Sequence, residues 1–120
     1  MAAKYAGPAD ALEKYDALVA RFDTVKRGGA ANPYTSLNGH MFSFLDRDGT
    51  VALRFSDEDR AEFMERYESG PSIQYGKTMQ GYATVPPALL SDTDELVAWF
   101  QRSYDHIATL EPKPTTRKKK

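Results

Sequence analysis

Cysteine is absent from the 120 residues. The chain therefore has no disulfide framework, no thiolate nucleophile and no cysteine-based metal site. Histidine is nearly as scarce: His40 and His106 are the pair available, short of the three or four convergent ligands that zinc requires. No apolar run approaches the ~18 residues of a membrane-spanning helix. The opening segment MAAKYAGPADALEKY also lacks the apolar core of a secretory signal. These absences lead to the expectation of a cytoplasmic protein with no metal, no cofactor and no membrane partner.

What the chain does contain suits one globular domain. A length of 120 residues is enough to bury a core without a covalent staple. Charge is unevenly placed. Lys113, Arg117, Lys118, Lys119 and Lys120 lie in the last eight positions, while residues 1–112 hold 11 basic against 17 acidic residues, a net of −6. The expected division is a domain over 1–112 and a disordered basic tail over 113–120. An acidic body repels phosphate backbones, so any nucleic-acid contact is expected from that tail.

Periodicity and turn residues outline the elements. Leu12, Tyr15, Leu18, Val19, Phe22 and Val25 recur at helical spacing and predict an amphipathic helix over Ala9–Val25. Asn38-Gly39 is a strong two-residue hairpin signal, and it pairs Leu37 with His40 and Thr35 with Phe42. A four-residue loop at Asp46–Gly49 then pairs Leu45 with Thr50 and Phe44 with Val51. In this register Leu37, Phe42, Phe44, Val51, Leu53 and Phe55 form the core face, with His40 at its rim. Tyr34, Ser36, Met41, Ser43, Leu45, Ala52 and Arg54 face the other way. Ser56 caps a second helix whose first turn holds three acids. Two further strands are expected over 72–75 and 80–85, with Gly76 in a turn and Gly81 at a bulge. The Ser91-Asp92-Thr93-Asp94 run caps a last helix that reaches about Leu110. The order α-β-β-β-α-β-β-α defines an α+β class: two layers, with an antiparallel sheet and helices packed largely on one face.

Three groups of residues bear on function. Tyr75-Gly76-Lys77-Thr78 resembles the end of a phosphate loop, but the motif wants glycine at position 71, which is Pro71, and a helix start after Thr78. A polar and aromatic set, Tyr34, Thr35, Ser36, His40, Gln74, Tyr75, Lys77 and Tyr82, would line a small-molecule pocket if the two hairpins were neighbours. High β-propensity alone also accounts for such residues. On the outward face, Tyr34, Met41, Leu45 and Ala52 offer a surface for a protein partner or a second copy, unless a helix of the same chain covers it. No nucleophile–base–orienter arrangement is recognisable, so no enzyme is expected and no catalytic residue is assigned.

Taken together, NPYTSLNGHMFSFL, the Asp48-Gly49 hairpin, VALRFSDEDRAEF, QYGKTMQGYATVP and LLSDTDELVAWFQRSYDHIATLEPKP resemble the N-terminal domain of the TfoX/Sxy family over about residues 9–114. The resemblance implies a two-layer α+β fold similar to the type III secretion chaperone arrangement. It also implies a link to bacterial regulation of DNA-uptake competence, acting in transcription with the cyclic-AMP receptor protein. The chain is expected to be a member with the N-terminal domain alone, since the family's usual C-terminal helical domain has no room here. Asn32-Pro33-Tyr34-Thr35-Ser36 stands where many members carry a glycine-rich Met-Phe-Gly-Gly segment. The family supplies no catalytic residue. Three functional expectations result: a non-enzymatic interaction or regulatory module with a protein partner or as a homodimer, a transcription-linked protein touching DNA through its tail, or a small-molecule binder or enzyme around His40 and Tyr75.

Overall fold

In the computed structural model, which describes residues 5–23, 25, 27–29, 33–37, 39–74 and 76–110, Ala11, Tyr15, Leu18 and Val19 form the buried stripe of helix α1 (Ala9–Val19). The helix ends six residues earlier than its periodicity suggests. Arg21 N–H donates to the Leu18 carbonyl at 3.1 Å and Phe22 N–H to that of Val19 at 3.0 Å, which tightens the chain into turns. Phe22 still reaches the core, its ring centroid 4.8 Å from that of Phe100. Packing, rather than continued helix, places this residue.

Five antiparallel strands follow: β1 (Tyr34–Leu37), β2 (His40–Leu45), β3 (Val51–Arg54), then, after helix α2 (Asp57–Arg66), β4 (Pro71–Gln74) and β5 (Lys77–Thr84). Their order across the sheet is β1-β2-β3-β5-β4. A single helical turn, α3 (Pro87–Leu90), and helix α4 (Thr93–Ala108) complete the described chain. The fold is α+β, with the helices gathered against one face of an antiparallel sheet. Helix α3 was not foreseen; Pro86-Pro87 ends the strand as expected, and Leu89 and Leu90 then bury themselves in the core. Ser56 accepts the Asp59 N–H at 3.2 Å and Asp92 the Glu95 N–H at 3.3 Å, so both long caps lie where the sequence places them.

The register differs from the sequence expectation in two places. The first hairpin closes with Leu37 opposite His40; Asn38 itself lies outside the described residues. Beyond Ser36 and Met41 the ladder shifts, and Thr35 pairs with Ser43 instead of Phe42. This is a β-bulge in β2, which lets Phe42 and Ser43 both face the helices. The second difference is the loop between β2 and β3. Gly49 N–H donates to the Asp46 carbonyl at 3.0 Å and Asp46 N–H to that of Thr50 at 2.9 Å, with Gly49 at φ +86. That is a three-residue loop over 47–49, closed by Asp46 opposite Thr50 and ending on a left-handed glycine, one residue shorter than the expected four-residue loop. Leu45 therefore pairs with Val51 and Phe44 with Ala52.

A one-residue slip exchanges faces. Leu45 and Ser43, expected outside, are buried against the helices, and Phe44, expected in the core, lies on the outer face. The core is aromatic along α4. Phe42 packs on Phe100 at 5.3 Å and on Tyr104 at 6.1 Å, while Phe63 of α2 meets Trp99 edge-on at 5.1 Å. Helices α2 and α4 are further joined at the surface. Trp99 Nε1 donates to the Tyr67 hydroxyl at 2.8 Å, and that hydroxyl donates to the Glu95 carboxylate.

Candidate functional site

The sheet's outer face is the candidate surface. Alternation along β1, β2, β3 and β5 brings Tyr34, Ser36, Met41, Phe44, Ala52, Arg54 and Tyr82 to the side opposite the helices. Phe44 and Tyr82 meet across β3 as a tilted ring pair with centroids 5.3 Å apart. Ala52, paired with Phe44 across the ladder, is buried. The Tyr82 hydroxyl donates to the Met41 carbonyl at 2.7 Å, which ties β5 to β2 over the intervening strand. Tyr34, at the sheet's edge, remains 39% exposed. Arg54 pairs with Tyr82 across the ladder and makes no ion pair among the described residues. Burial pushes the Tyr82 phenol up to about 12, against the opposing pull of the Arg54 cation. This phenol stays protonated and a hydrogen-bond donor at any neutral pH.

Of the residues expected to form an interface, Tyr34, Met41 and Ala52 lie on this face. Leu45 does not: at 3% exposure it belongs to the core, a consequence of the bulge in β2 and the shorter β2–β3 loop. Phe44 takes its place on the surface. The signal for the loop's part in that exchange was the Asp46-Arg47-Asp48-Gly49 sequence itself, since a type I turn followed by a left-handed glycine makes a three-residue loop. Asp46 Oδ1 reinforces it by accepting the N–H groups of Asp48 at 2.9 Å and Thr50 at 3.0 Å.

The expected small-molecule pocket is not assembled. Tyr34, Thr35 and Ser36 lie on β1 at one edge of the sheet, whereas Gln74 on β4 and Lys77 on β5 belong to the opposite side, with β2 and β3 between. Thr35 points inward, where its hydroxyl meets that of Ser43. His40 opens β2 opposite Leu37, and Tyr82 is on the outer face; Tyr75 lies outside the described residues. The phosphate-loop resemblance also fails on context. Gln74 pairs with Lys77 around a two-residue turn, and Lys77-Thr78 begins a strand, not a helix.

A cleft of about 360 Å³ opens at the break in the β4–β5 ladder, lined by Asp57, Arg60, Thr78 and Gly81. Arg60 Nε donates to the Tyr82 carbonyl at 3.0 Å. It thereby satisfies an acceptor near the point where the pairing shifts between Pro71 and Ile73. Among the described residues no group of three His, Asp or Glu side chains could hold a metal ion, and no helix is long and apolar enough to cross a membrane. The tail residues Lys113, Arg117, Lys118, Lys119 and Lys120 lie outside the described residues.

No curated protein and no solved structure matches the chain. The family model for the TfoX N-terminal domain matches residues 28–107, a span that includes all five strands, α2, α3 and nearly all of α4. On that match, and with the two-layer α+β architecture in agreement, the chain belongs to the TfoX N-terminal domain family.

Proposed function

We propose that the chain is a non-enzymatic module that recognises a protein partner through the outer face of its sheet, in a setting linked to transcription and competence. The family membership points to a competence-related regulatory or interaction module. The observation that supports the surface is the one-sidedness of the fold: helices cover the Phe42–Leu45–Leu53 side, and on the other an exposed Tyr34 and half-buried Met41 and Phe44 form a strip backed by the buried Tyr82. Rigid aromatic side chains with a polar tip anchor protein interfaces well, because little rotamer entropy is lost on binding. Arg54 adds a cation beside the strip. A partner that brings a carboxylate to it suits this surface better than a second copy, which would set one Arg54 near another.

The test is a titration of the ¹⁵N-labelled chain with the cyclic-AMP receptor protein, the partner that the TfoX/Sxy resemblance implies. Amide shifts are expected at Tyr34, Met41, Phe44, Ala52 and Tyr82. Tyr34→Ser and Arg54→Glu should each weaken binding by about 1–2 kcal/mol, roughly ten-fold. Shifts confined to α1 and α4, or undiminished binding by the double variant, would overturn the outer-face reading. No shift at all would remove the transcription link.

A further inference from the structure

The two edges of the sheet are finished differently. At the β1 edge the chain closes its own ladder: Gly28 N–H donates to the Tyr34 carbonyl at 2.9 Å, and Tyr34 N–H returns a bond to Gly28 at 3.1 Å. At the other edge β4 pairs with β5 alone, and among the described residues no bridge lies on its far side. Gln74 and Lys77 close the two-residue turn, which makes Ile73 and Thr78 the next pair along. Antiparallel pairs alternate between hydrogen-bonded and non-hydrogen-bonded positions. With the turn-closing pair hydrogen-bonded, the Ile73 N–H and C=O point away from β5 toward the open edge.

That edge is also apolar and uncharged. Ile73 is 59% exposed, the most exposed large hydrophobic side chain among the described residues. The four residues Pro71, Ser72, Ile73 and Gln74 carry no charge, although charged residues are a common way to keep sheet edges apart. Pro71 lacks an N–H and stops any added pairing at that end, so a new ladder is limited to the Ile73 region.

We propose that two copies of the chain join through β4, antiparallel about a twofold axis, into one continuous ten-stranded sheet. Ile73 then meets the Ile73 of the second copy. Each donates its N–H to the other's carbonyl, and the two side chains shield each other from water. An isologous contact needs a self-complementary strand, and an uncharged one meets itself without repulsion. Elsewhere a body with net charge −6 over residues 1–112 repels its own copy. An extended segment of another protein could satisfy the same N–H and C=O, but nothing on this strand selects for a foreign charge. The shortness of β4 makes the contact small, of the weak and reversible class. The outer aromatic face stays free in such a dimer, so this edge is a second surface, separate from the one proposed for a partner protein.

Sedimentation velocity across a concentration series tests the proposal, combined with amide hydrogen exchange at Ile73. The dimer fraction should rise with concentration, and exchange at Ile73 should slow as it does. Ile73→Lys should give a monomer at every concentration with unchanged far-UV circular dichroism, while Ile73→Val retains the dimer. Binding of a partner through Tyr34 and Arg54 should survive Ile73→Lys. A monomer throughout for the parent chain overturns the proposal. So does a dimer that persists in Ile73→Lys, and if Tyr34→Ser abolishes that dimer the self-contact belongs to the outer face.

Discussion

Tyr15 is a large polar side chain with no exposed surface, and it survives in the core because its hydroxyl shares a 2.6 Å hydrogen bond with Ser43 Oγ. Ser43 Oγ also meets the Thr35 hydroxyl, so one small residue serves two buried partners. Among the described residues no buried side-chain polar atom lacks a partner. The asymmetry of this trio yields a prediction. Ser43→Ala removes the partner that the Tyr15 and Thr35 hydroxyls share, leaving them only each other, and should cost about 1–3 kcal/mol in unmet desolvation penalty. Tyr15→Phe leaves the Thr35–Ser43 bond intact and should cost less, about 1 kcal/mol. Urea unfolding of the two variants checks the order, and a larger loss for Tyr15→Phe would contradict it. None of this is visible in the sequence, where Ser43 and Thr35 read as ordinary strand residues. Their meeting depends on a bulge that turns Ser43 inward.

At the level of elements, most of what was legible came from caps and turns, and what was missed came from counting one residue within them. Ser56, Asp92, the reversal that sets Leu37 opposite His40 and the turn at Gly76 are local chemistry, and local chemistry can be read from neighbours in the chain. The β2 bulge has no local signature. It follows from the need to place Phe42 against Phe100 and Tyr104 while Leu45 is buried in the same core, which is long-range packing. Together with the three-residue loop after it, the bulge exchanged Leu45 and Phe44 in the candidate surface, whereas Tyr34, Met41 and Ala52 kept their side. Gly49 is the hinge of this register. At φ +86 it occupies a conformation that L side chains rarely adopt, and a Cβ there would stand 3.0 Å from Pro8 Cγ and 3.3 Å from Ala11 Cβ. Gly49→Ala should therefore destabilise the fold by about 1–3 kcal/mol. The urea midpoint should fall with an unchanged slope, since the same surface is exposed on unfolding. A neutral result would mean that the loop can re-form with a different residue count.

For the molecule as a whole, stability should depend on pH most sharply on the alkaline side, and the cause is its tyrosines. Tyr15 and Tyr82 are buried, and burial disfavours the charged phenolate. The Tyr82 phenol is held up to about 12 from an ordinary value of 10, chiefly by desolvation. Tyr15 is raised by the same cause, with its hydroxyl bonds to Ser43 and Thr35 opposing. Tyr5 and Tyr67 shift in the same direction, also led by desolvation. Below pH 10 both folded and unfolded chains keep these protons, so the contribution is fully present and flat. Above pH 10 the unfolded chain releases protons that the folded chain retains, and unfolding is increasingly favoured through pH 12. The unfolding midpoint in urea should accordingly hold steady from neutral pH to about 9 and fall steeply between 10 and 12. Tyr82→Phe should shallow that fall while lowering neutral-pH stability by about 1 kcal/mol, the worth of its bond to the Met41 carbonyl. A midpoint that stays level to pH 12 would show that these phenols ionise without opening the structure, which their burial and the Tyr15–Ser43 and Tyr82–Met41 bonds do not allow.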